Sequence, residues 1–501
     1  MLVLQKTTAV LIYSFFVILL LFLALRYVKG FQLPELVKWA LPVAFILKIC
    51  IGLLFNFIHE TTYGHGDLSH DGGTFLKEAK YLNDVFFVSP KAYFQLLTGI
   101  GESKELVNHY LTKTAYWSAG ELTLINDSKN VIRVHSLIHF ISGGQMLIHL
   151  ALMCLLTLFA IKNLYLAFKP YIAFKPQTFF WFLVFVPSTI FWTSTILKEP
   201  LLFFGFSLLL RCLLHEEILW KKTIGLTLSM FLLIGFKPYV LVIILLSLIT
   251  YSFYRYLFKT KLLFTSIFLI SITFILGYMF DLPRESMVHY LSRKQFDFVN
   301  VGKGGLHAYA DTCFYYFETS QLSNLQINKP DIVLLKETDA YRFQLGSMKT
   351  PVPVHLIPNG DIWKVYYFRP GCMSYIETTP INNSSIQLIK NIPEAIINST
   401  FRPWPNDPGS NLKLIAFAES TFLFLFLAYA FWKRRILSES EKSIIFGLAT
   451  FAILLFLLIG WTTPVLGAIA RYRFPAQLAL FIIGFILLKP FSLKLWKNLY
   501  L

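Results

Sequence analysis

The chain has 501 residues, 56% of them hydrophobic, 17% aromatic and only 15% charged, with a mean hydropathy of +0.59. An ordinary soluble domain carries about 25% charged residues, so a soluble globular chain is excluded and a polytopic membrane protein is indicated. The 45 Lys and Arg against 28 Asp and Glu leave a formal charge of +17; multispanning proteins concentrate basic residues in cytoplasmic loops, so part of this excess encodes orientation, and the partner expected is membrane lipid, with no nucleic acid.

A window of about twenty apolar residues predicts about eleven transmembrane helices. They lie near 8–26, 38–58, 138–163, 177–193, 197–214, 222–236, 238–256, 261–280, 412–432, 443–460 and 474–490. The first is followed by "RYVKG" and by no small-residue cleavage site, so it reads as a retained helix. The fourth to seventh are short and form two joined pairs, hinged at "TSTILKEP" and "GFKPY". Basic stretches such as "LWKKT", "YRYLFKTK" and "FWKRR" mark one set of connections as cytoplasmic. The N-terminus and two long polar segments, 60–135 and 281–410, then fall outside, with short turns at Lys198, Lys237 and Arg471.

The fold class expected is therefore an all-α polytopic membrane protein with a small extracytoplasmic α+β cap. Its parts are an N-terminal transmembrane bundle, 1–280, carrying an outer loop at 59–137; the extracytoplasmic loop domain, 281–410; and C-terminal transmembrane helices, 411–501. In the outer loop, "GTFLKEAKYLNDVF" places Phe75, Ala79, Leu82 and Phe86 at helical spacing. In the cap, alternating runs such as "DIVLLKE" and "IWKVYYF" between Pro and Gly turns predict short strands. Cys50, Cys154 and Cys212 fall in apolar segments, where a thiol behaves as a small hydrophobe. Cys313 and Cys372 share the polar loop, and in an oxidising compartment they would either stay free or close a disulfide loop of about sixty residues.

Two sets of residues carry possible chemistry. The first is basic. Lys198 lies in "FWTSTILKEP" at an outer hairpin, where it either snorkels to water or binds an anion in a recess between short helices, with Glu199 holding a cation or orienting a substrate hydroxyl. Lys237 in "GFKPY", Arg402 in "FRPWPND", and Arg471 and Arg473 in "GAIARYRFP" recur at other outer helix ends. Positive charge is least expected there, and Lys and Arg together suit a phosphate or pyrophosphate. The second set is acidic: "GHGDLSHDGG" offers Asp67 and Asp71 with His65 and His70, which suits a divalent cation, a general base for an acceptor hydroxyl, or a turn into a helix. No Walker A, strand-coupled GxGxxG or GxSxG stretch is present.

The loop acids of "GDLSHDGG" resemble those of the GT-C superfamily of membrane glycosyltransferases, which use polyprenyl-phosphate-linked sugars. The resemblance implies a base or metal ligand at Asp71 or Asp67, with Glu199 as the second acid. Asp67 and Asp71 stand four apart, where the superfamily's paired acids usually stand two apart. The chain is also similar to bacterial envelope-polysaccharide membrane proteins that share a "PSxxFW…LKE" hairpin, an "FRPxP" segment and a "GxxxRYRxP" turn, here "PSTIFWTSTILKEP", "FRPWPND" and "GAIARYRFP". O-antigen polymerases and ligases, which pair outer-face arginines with a large outer loop, are a neighbouring resemblance.

These readings lead to a glycosyltransferase or polysaccharide polymerase on the outer face of a bacterial inner membrane. It would take a polyprenyl-(di)phosphate-linked glycan donor and a glycan or lipid acceptor. Asp71 would act as base, assisted by Asp67 or Glu199, and Lys198, Lys237, Arg402, Arg471 and Arg473 would neutralise the departing phosphate. The cap would bind the acceptor, with Trp363, Tyr366, Tyr367 and Trp404 available to stack on sugar rings. The alternatives are a transporter or flippase of a lipid-linked anionic glycan, and a non-catalytic membrane assembly subunit.

Overall fold

The computed structural model describes residues 2–62, 68, 70–118, 126–215, 218–256, 287–310, 313–328, 331–344, 347–360 and 362–489. The expected span at 261–280 lies outside them, as do His65 and Asp67. The chain divides into two compact units: Met1–Leu246 with Ala430–Leu437 and Ile482–Leu501, and Ser247–Tyr429 with Ser438–Phe481.

The first unit is helical. It holds α1 (Leu2–Tyr27), α2 (Ala40–Thr62), α3 (His70–Val88), α4 (Pro90–Thr98), α5 (Lys104–Tyr110), α6 (Ala115–Ser118), α7 (Asp127–Ser142), α8 (Met146–Phe168), α9 (Pro176–Phe185), α10 (Pro187–Thr193), α11 (Glu199–Leu214), α12 (Leu219–Phe236) and the first half of α13 (Pro238–Tyr256). Among all described residues, six helices are long and apolar enough to cross a membrane: Ala40–Thr62, Met146–Tyr171, Leu219–Phe236, Pro238–Arg255, Lys413–Trp432 and Glu439–Thr462. A pair bent by 49°, Leu466–Tyr472 and Phe474–Leu487, makes a seventh if it counts as one span. Large side chains such as Phe231 (72% exposed) and Trp432 (75% exposed) stand on the outside of these helices, an arrangement that hydrocarbon tolerates and water does not. The protein is an α-helical, multi-pass membrane protein.

Several expected spans change shape. The one at 138–163 is broken, because Gly143 and Gly144 take φ of 57° and 84°. The left-handed turn caps α7, whose carbonyl of His139 accepts from Gly143 N–H, and a new helix starts at Met146. The span at 177–193 is interrupted at Val186, where Pro187 opens α10. Helix α11 has 16 residues, or about 24 Å at 1.5 Å per residue, short of a hydrocarbon core of about 30 Å. Helix α8 is apolar all round and buried along most of its length, as suits a central helix. Helix α2 approaches the α10–α11 break so closely that a Cβ on Gly52 would lie 2.0 Å from the Ser194 carbonyl oxygen.

The segment after α2 folds as its apolar spacing requires. Phe75, Ala79 and Leu82 of α3 are fully buried. They join Tyr93, Leu96, Val107, Trp117 and Val131 in a core that also takes Leu201 of α11 and Leu232 and Phe236 of α12. A layer of short helices is thereby fixed to the ends of two apolar ones.

In the second unit α14 (Met287–Lys303) leads into an antiparallel sheet of seven strands in the order β3-β4-β7-β1-β2-β5-β6. The strands are β1 (Gly305–Ala310), β2 (Cys313–Glu318), β3 (Leu325–Asn328), β4 (Asp331–Leu334), β5 (Thr338–Gln344), β6 (Ser347–Leu356) and β7 (Ile362–Arg369). The chain passes from α14 into β1 through Gly304, at φ 66°, where a Cβ would lie 2.3 Å from Gly371 N. Helices α15 (Ser385–Lys390), α16 (Ile392–Thr400), α17 (Lys413–Trp432), α18 (Glu439–Thr462), α19 (Leu466–Tyr472) and α20 (Phe474–Leu487) follow. One sheet face buries Leu306, Ala308, Phe317, Ile332, Leu334 and Trp363. Trp363 is only 3% exposed, so it packs the sheet and cannot stack on a sugar.

Cys313 and Cys372 are free thiols. Cys313 pairs with Ala310 at the tip of the β1–β2 hairpin, whereas β7 ends at Arg369, opposite Gly305 at the far end of β1. Five residues of strand separate those ends, about 17 Å, while a disulfide spans about 4.4–6.8 Å between Cα atoms. Cys372 Sγ donates instead to the Val301 carbonyl at 3.4 Å.

Candidate functional site

Helix α3 carries Asp71 in its first turn, and Asp127 opens α7 behind an Asn126 cap whose side chain accepts from Ser128 and Lys129 N–H. Tyr116 of α6 lies in the electric field of both carboxylates and hydrogen-bonds with Ser128. Burial, then the charge on Asp71, pushes the Tyr116 phenol up to about 12. Asp127 Oδ2 accepts from Lys198 Nζ at 2.7 Å, and the ammonium stands 5.9 Å from the ring centre of Phe75, one turn beyond Asp71. Glu78 holds the start of α6: its Oε1 accepts from Ala115 N–H at 2.6 Å and its Oε2 from Tyr116 N–H at 3.4 Å. Burial raises the Glu78 pKa, and these two N–H groups act against the rise.

Glu199, the residue next to Lys198, has a different partner. Lys237 Nζ donates to Glu199 Oε1 at 3.3 Å, with the side chains 7% and 0% exposed. The two charges of "LKE" thus enter two ion pairs, one partly open at the α7 N-terminus and one sealed between the start of α11 and the end of α12. The connection from α10 to α11, 194–198, runs through the protein interior. Lys48 of α2 is fully buried there and donates to Thr193 Oγ1 at 3.0 Å. Thr195 Oγ1 donates to Asn56 Oδ1 at 3.4 Å. The buried hydroxyls of Thr189 and Ser194 have no acceptor or donor partner among the described residues.

A third cluster supports this layer. Glu102 accepts from Lys129 Nζ at 3.1 Å and from Arg133 Nη2 at 3.0 Å, and all three are nearly inaccessible. Both cations lie over the Trp117 ring, at 5.4 and 6.0 Å. Arg133 Nη1 donates to Asn130 Oδ1, and Asn130 Nδ2 to the Gly235 carbonyl, which ties α7 to the end of α12 two residues before Lys237. Glu78, Glu102, Tyr116, Asp127, Lys129 and Arg133 carry no local signature, since the partners of Glu102 are 27 and 31 residues away.

The candidate arginines belong to the second unit. Arg473 is 1% exposed and encloses backbone. Nη1 donates to the carbonyls of Ser399 at 3.1 Å and Thr400 at 3.3 Å and to that of Arg402; Nη2 donates to Ser420 Oγ at 2.8 Å and the Ala416 carbonyl at 3.4 Å. It satisfies the open carbonyls at the C-terminus of α16 and ties them to α17; expected to meet a phosphate, it is occupied structurally instead. Arg402 pairs with Asp407 at 3.7 Å. Arg471 lies half-buried, 5.9 Å from the Tyr472 ring centre. Trp404 stacks on Phe401, and the side chains of Tyr366 and Tyr367 lie outside the described set.

The structure therefore brings Asp71, Lys198, Glu199 and Lys237 into the first unit with Tyr116 and Asp127, while Arg402, Arg471 and Arg473 fall in the second. Among the described residues no group of three or more His, Cys, Asp and Glu side chains is disposed to hold a metal ion. Compared with protein-family models, with curated proteins and with solved structures, the chain matches none.

Proposed function

We propose that the protein is a glycosyltransferase or polysaccharide polymerase that takes a polyprenyl-(di)phosphate-linked sugar at the outer face of a bacterial cytoplasmic membrane. In this reading about eleven spans cross the bilayer and 281–410 forms an extracytoplasmic cap. The observation that carries it is the Lys198–Asp127 pair beside Asp71 and Tyr116. A partly exposed ion pair is worth about 0–1 kcal/mol, so the donor's phosphate displaces Asp127 from Lys198 at little cost and is held more strongly as it gains charge on leaving. Asp71, within the same field, accepts the acceptor hydroxyl's proton as the new glycosidic bond forms, and Lys198 holds the phosphate that leaves. Lys237 keeps Glu199 in place and so fixes the start of α11. Arg402 and Arg471 belong to the second unit and take no part in this step, whereas Arg473 serves the fold.

A second reading, a transporter or flippase of the lipid-linked glycan, draws on one observation: a buried Lys48 and unmatched hydroxyls at a broken helix, the features of a transport path. One pair of variants separates the two. In proteoliposomes given a polyprenyl-phosphate-sugar and acceptor, Asp71→Asn should lower transfer by about 100-fold or more with carrier binding intact, and Lys198→Ala should weaken carrier binding. Normal turnover by Asp71→Asn, with loss of carrier movement in Lys48→Met, would replace the enzyme with the transporter.

A further inference from the structure

The second unit contains a cavity of about 380 Å³ between α14, the β2–β5 region of the sheet and the loop 375–383, within the range of about 300–1,000 Å³ typical of small-ligand sites. We infer that this cavity is an oligosaccharide site, and that Arg293 selects a sugar bearing a carboxylate.

The lining sets the ligand class. A polyphosphate or nucleotide needs a surplus of positive charge, but Arg293 and Lys303 are balanced by Glu318 and Glu377. Lys303 is already held by Glu318 at 3.2 Å. A lipid tail needs a continuous apolar wall, which Asn300, Ser292 and Thr378 interrupt. A sugar presents hydroxyls that donate and accept, together with a flat C–H face. The cavity answers both: Glu377, which accepts from Tyr375 at 3.1 Å, and side-chain amides meet hydroxyls, and the rings of Phe296 and Tyr341, packed 4.9 Å apart, supply an aromatic surface. Arg293 lines the same space and lies in the field of Asp297, one turn further along α14; its planar guanidinium suits a fork to a carboxylate.

The rim is built before any ligand arrives. Asn382 and Asn383, both lining the cavity, occupy the left-handed region with φ of 51° and 56°. That conformation is uncommon outside glycine and most tolerable for Asn and Asp. Gln295 of α14 holds the loop from both sides, donating to the Thr379 carbonyl at 3.0 Å and accepting from Ile381 N–H at 2.9 Å. Asn383 N–H donates to Ser292 Oγ at 3.2 Å. The loop is fixed where two amides enter the lining.

This inference rests on the proposed glycan chemistry only in taking the bound sugar as the acceptor; binding itself is independent of transfer. The test is saturation-transfer NMR on the full-length protein in detergent with trigalacturonate and the neutral cellotriose. Saturable binding of both is expected, tighter for trigalacturonate. Arg293→Gln should lose roughly tenfold for trigalacturonate alone, Tyr341→Ala should weaken both, and Lys198→Ala should leave both unchanged while impairing carrier binding. If Tyr341→Ala melts early, Asn300→Asp replaces it and should repel trigalacturonate selectively. Absence of saturable binding by the folded wild-type protein, or wild-type binding by Arg293→Gln and by the lining variants, would overturn the assignment.

Discussion

Lys198 and Glu199 adjoin at the start of α11, yet their energetics differ. The Lys198–Asp127 pair leaves Asp127 42% exposed, and solvent screening keeps its contribution small. The Glu199–Lys237 pair is sealed, so removing one side chain takes a buried counter-charge away from the other. Glu199→Gln should lower thermal stability in detergent by about 3–5 kcal/mol, whereas joint replacement by Glu199→Leu and Lys237→Met should recover most of the loss. A double substitution no more stable than Glu199→Gln would show that the pair has some role other than mutual neutralisation. Both residues could be singled out in the sequence because charge interrupts an apolar stretch. Their pairing could not, because Glu199 and Lys237 are 38 residues apart and only the packing of α11 on α12 joins them.

At the level of elements, α7 connects the short helices α3–α6 to the long apolar ones. His135 of α7 lies 2.9 Å from His149 of α8, nitrogen to nitrogen, and His149 also meets Ser142 at 2.8 Å. Burial, then the neighbouring His139, holds the His135 pKa down at about 3, against 6.5 in an unfolded chain. Between those values the unfolded chain binds the proton and the folded one does not, so stability is intact above about pH 6.5 and is lost as pH falls toward 3. The melting temperature should follow that course, and His135→Asn should flatten it even though the variant starts from a lower value. An unchanged slope in the variant would assign the acid sensitivity elsewhere. Element type was legible where the signal is local: the stripe of Phe75, Ala79 and Leu82 specified α3, and the alternation of "IWKVYYF" specified β7. The break at Gly143 and Gly144 was not, because a hydropathy window averages across two residues whose backbone reverses the helix.

For the molecule as a whole, sequence and structure agree on a multispanning helical protein with a sheet-containing segment, and the proposed chemistry turns on the side of the membrane that this segment faces. Donor sugar on an outer face needs α3–α7 and the seven-stranded sheet on the side opposite the "FWKRR" turn. The charge asymmetry of the short loops predicts this arrangement, and it can be read directly. In a variant lacking the native cysteines, single replacements Lys91→Cys at the exposed start of α4 and Ile357→Cys at the exposed end of β6 should react with a membrane-impermeant maleimide in intact cells. Ile436→Cys, at a position 97% exposed, and Leu219→Cys, at one 78% exposed, should react only after permeabilisation. Because all four positions are exposed, failure to label reports the side of the membrane and not burial. Labelling of Ile436→Cys in intact cells with protection of Lys91→Cys would place the Asp71–Lys198 site in the cytoplasm, where a donor displayed on the outer leaflet cannot reach it.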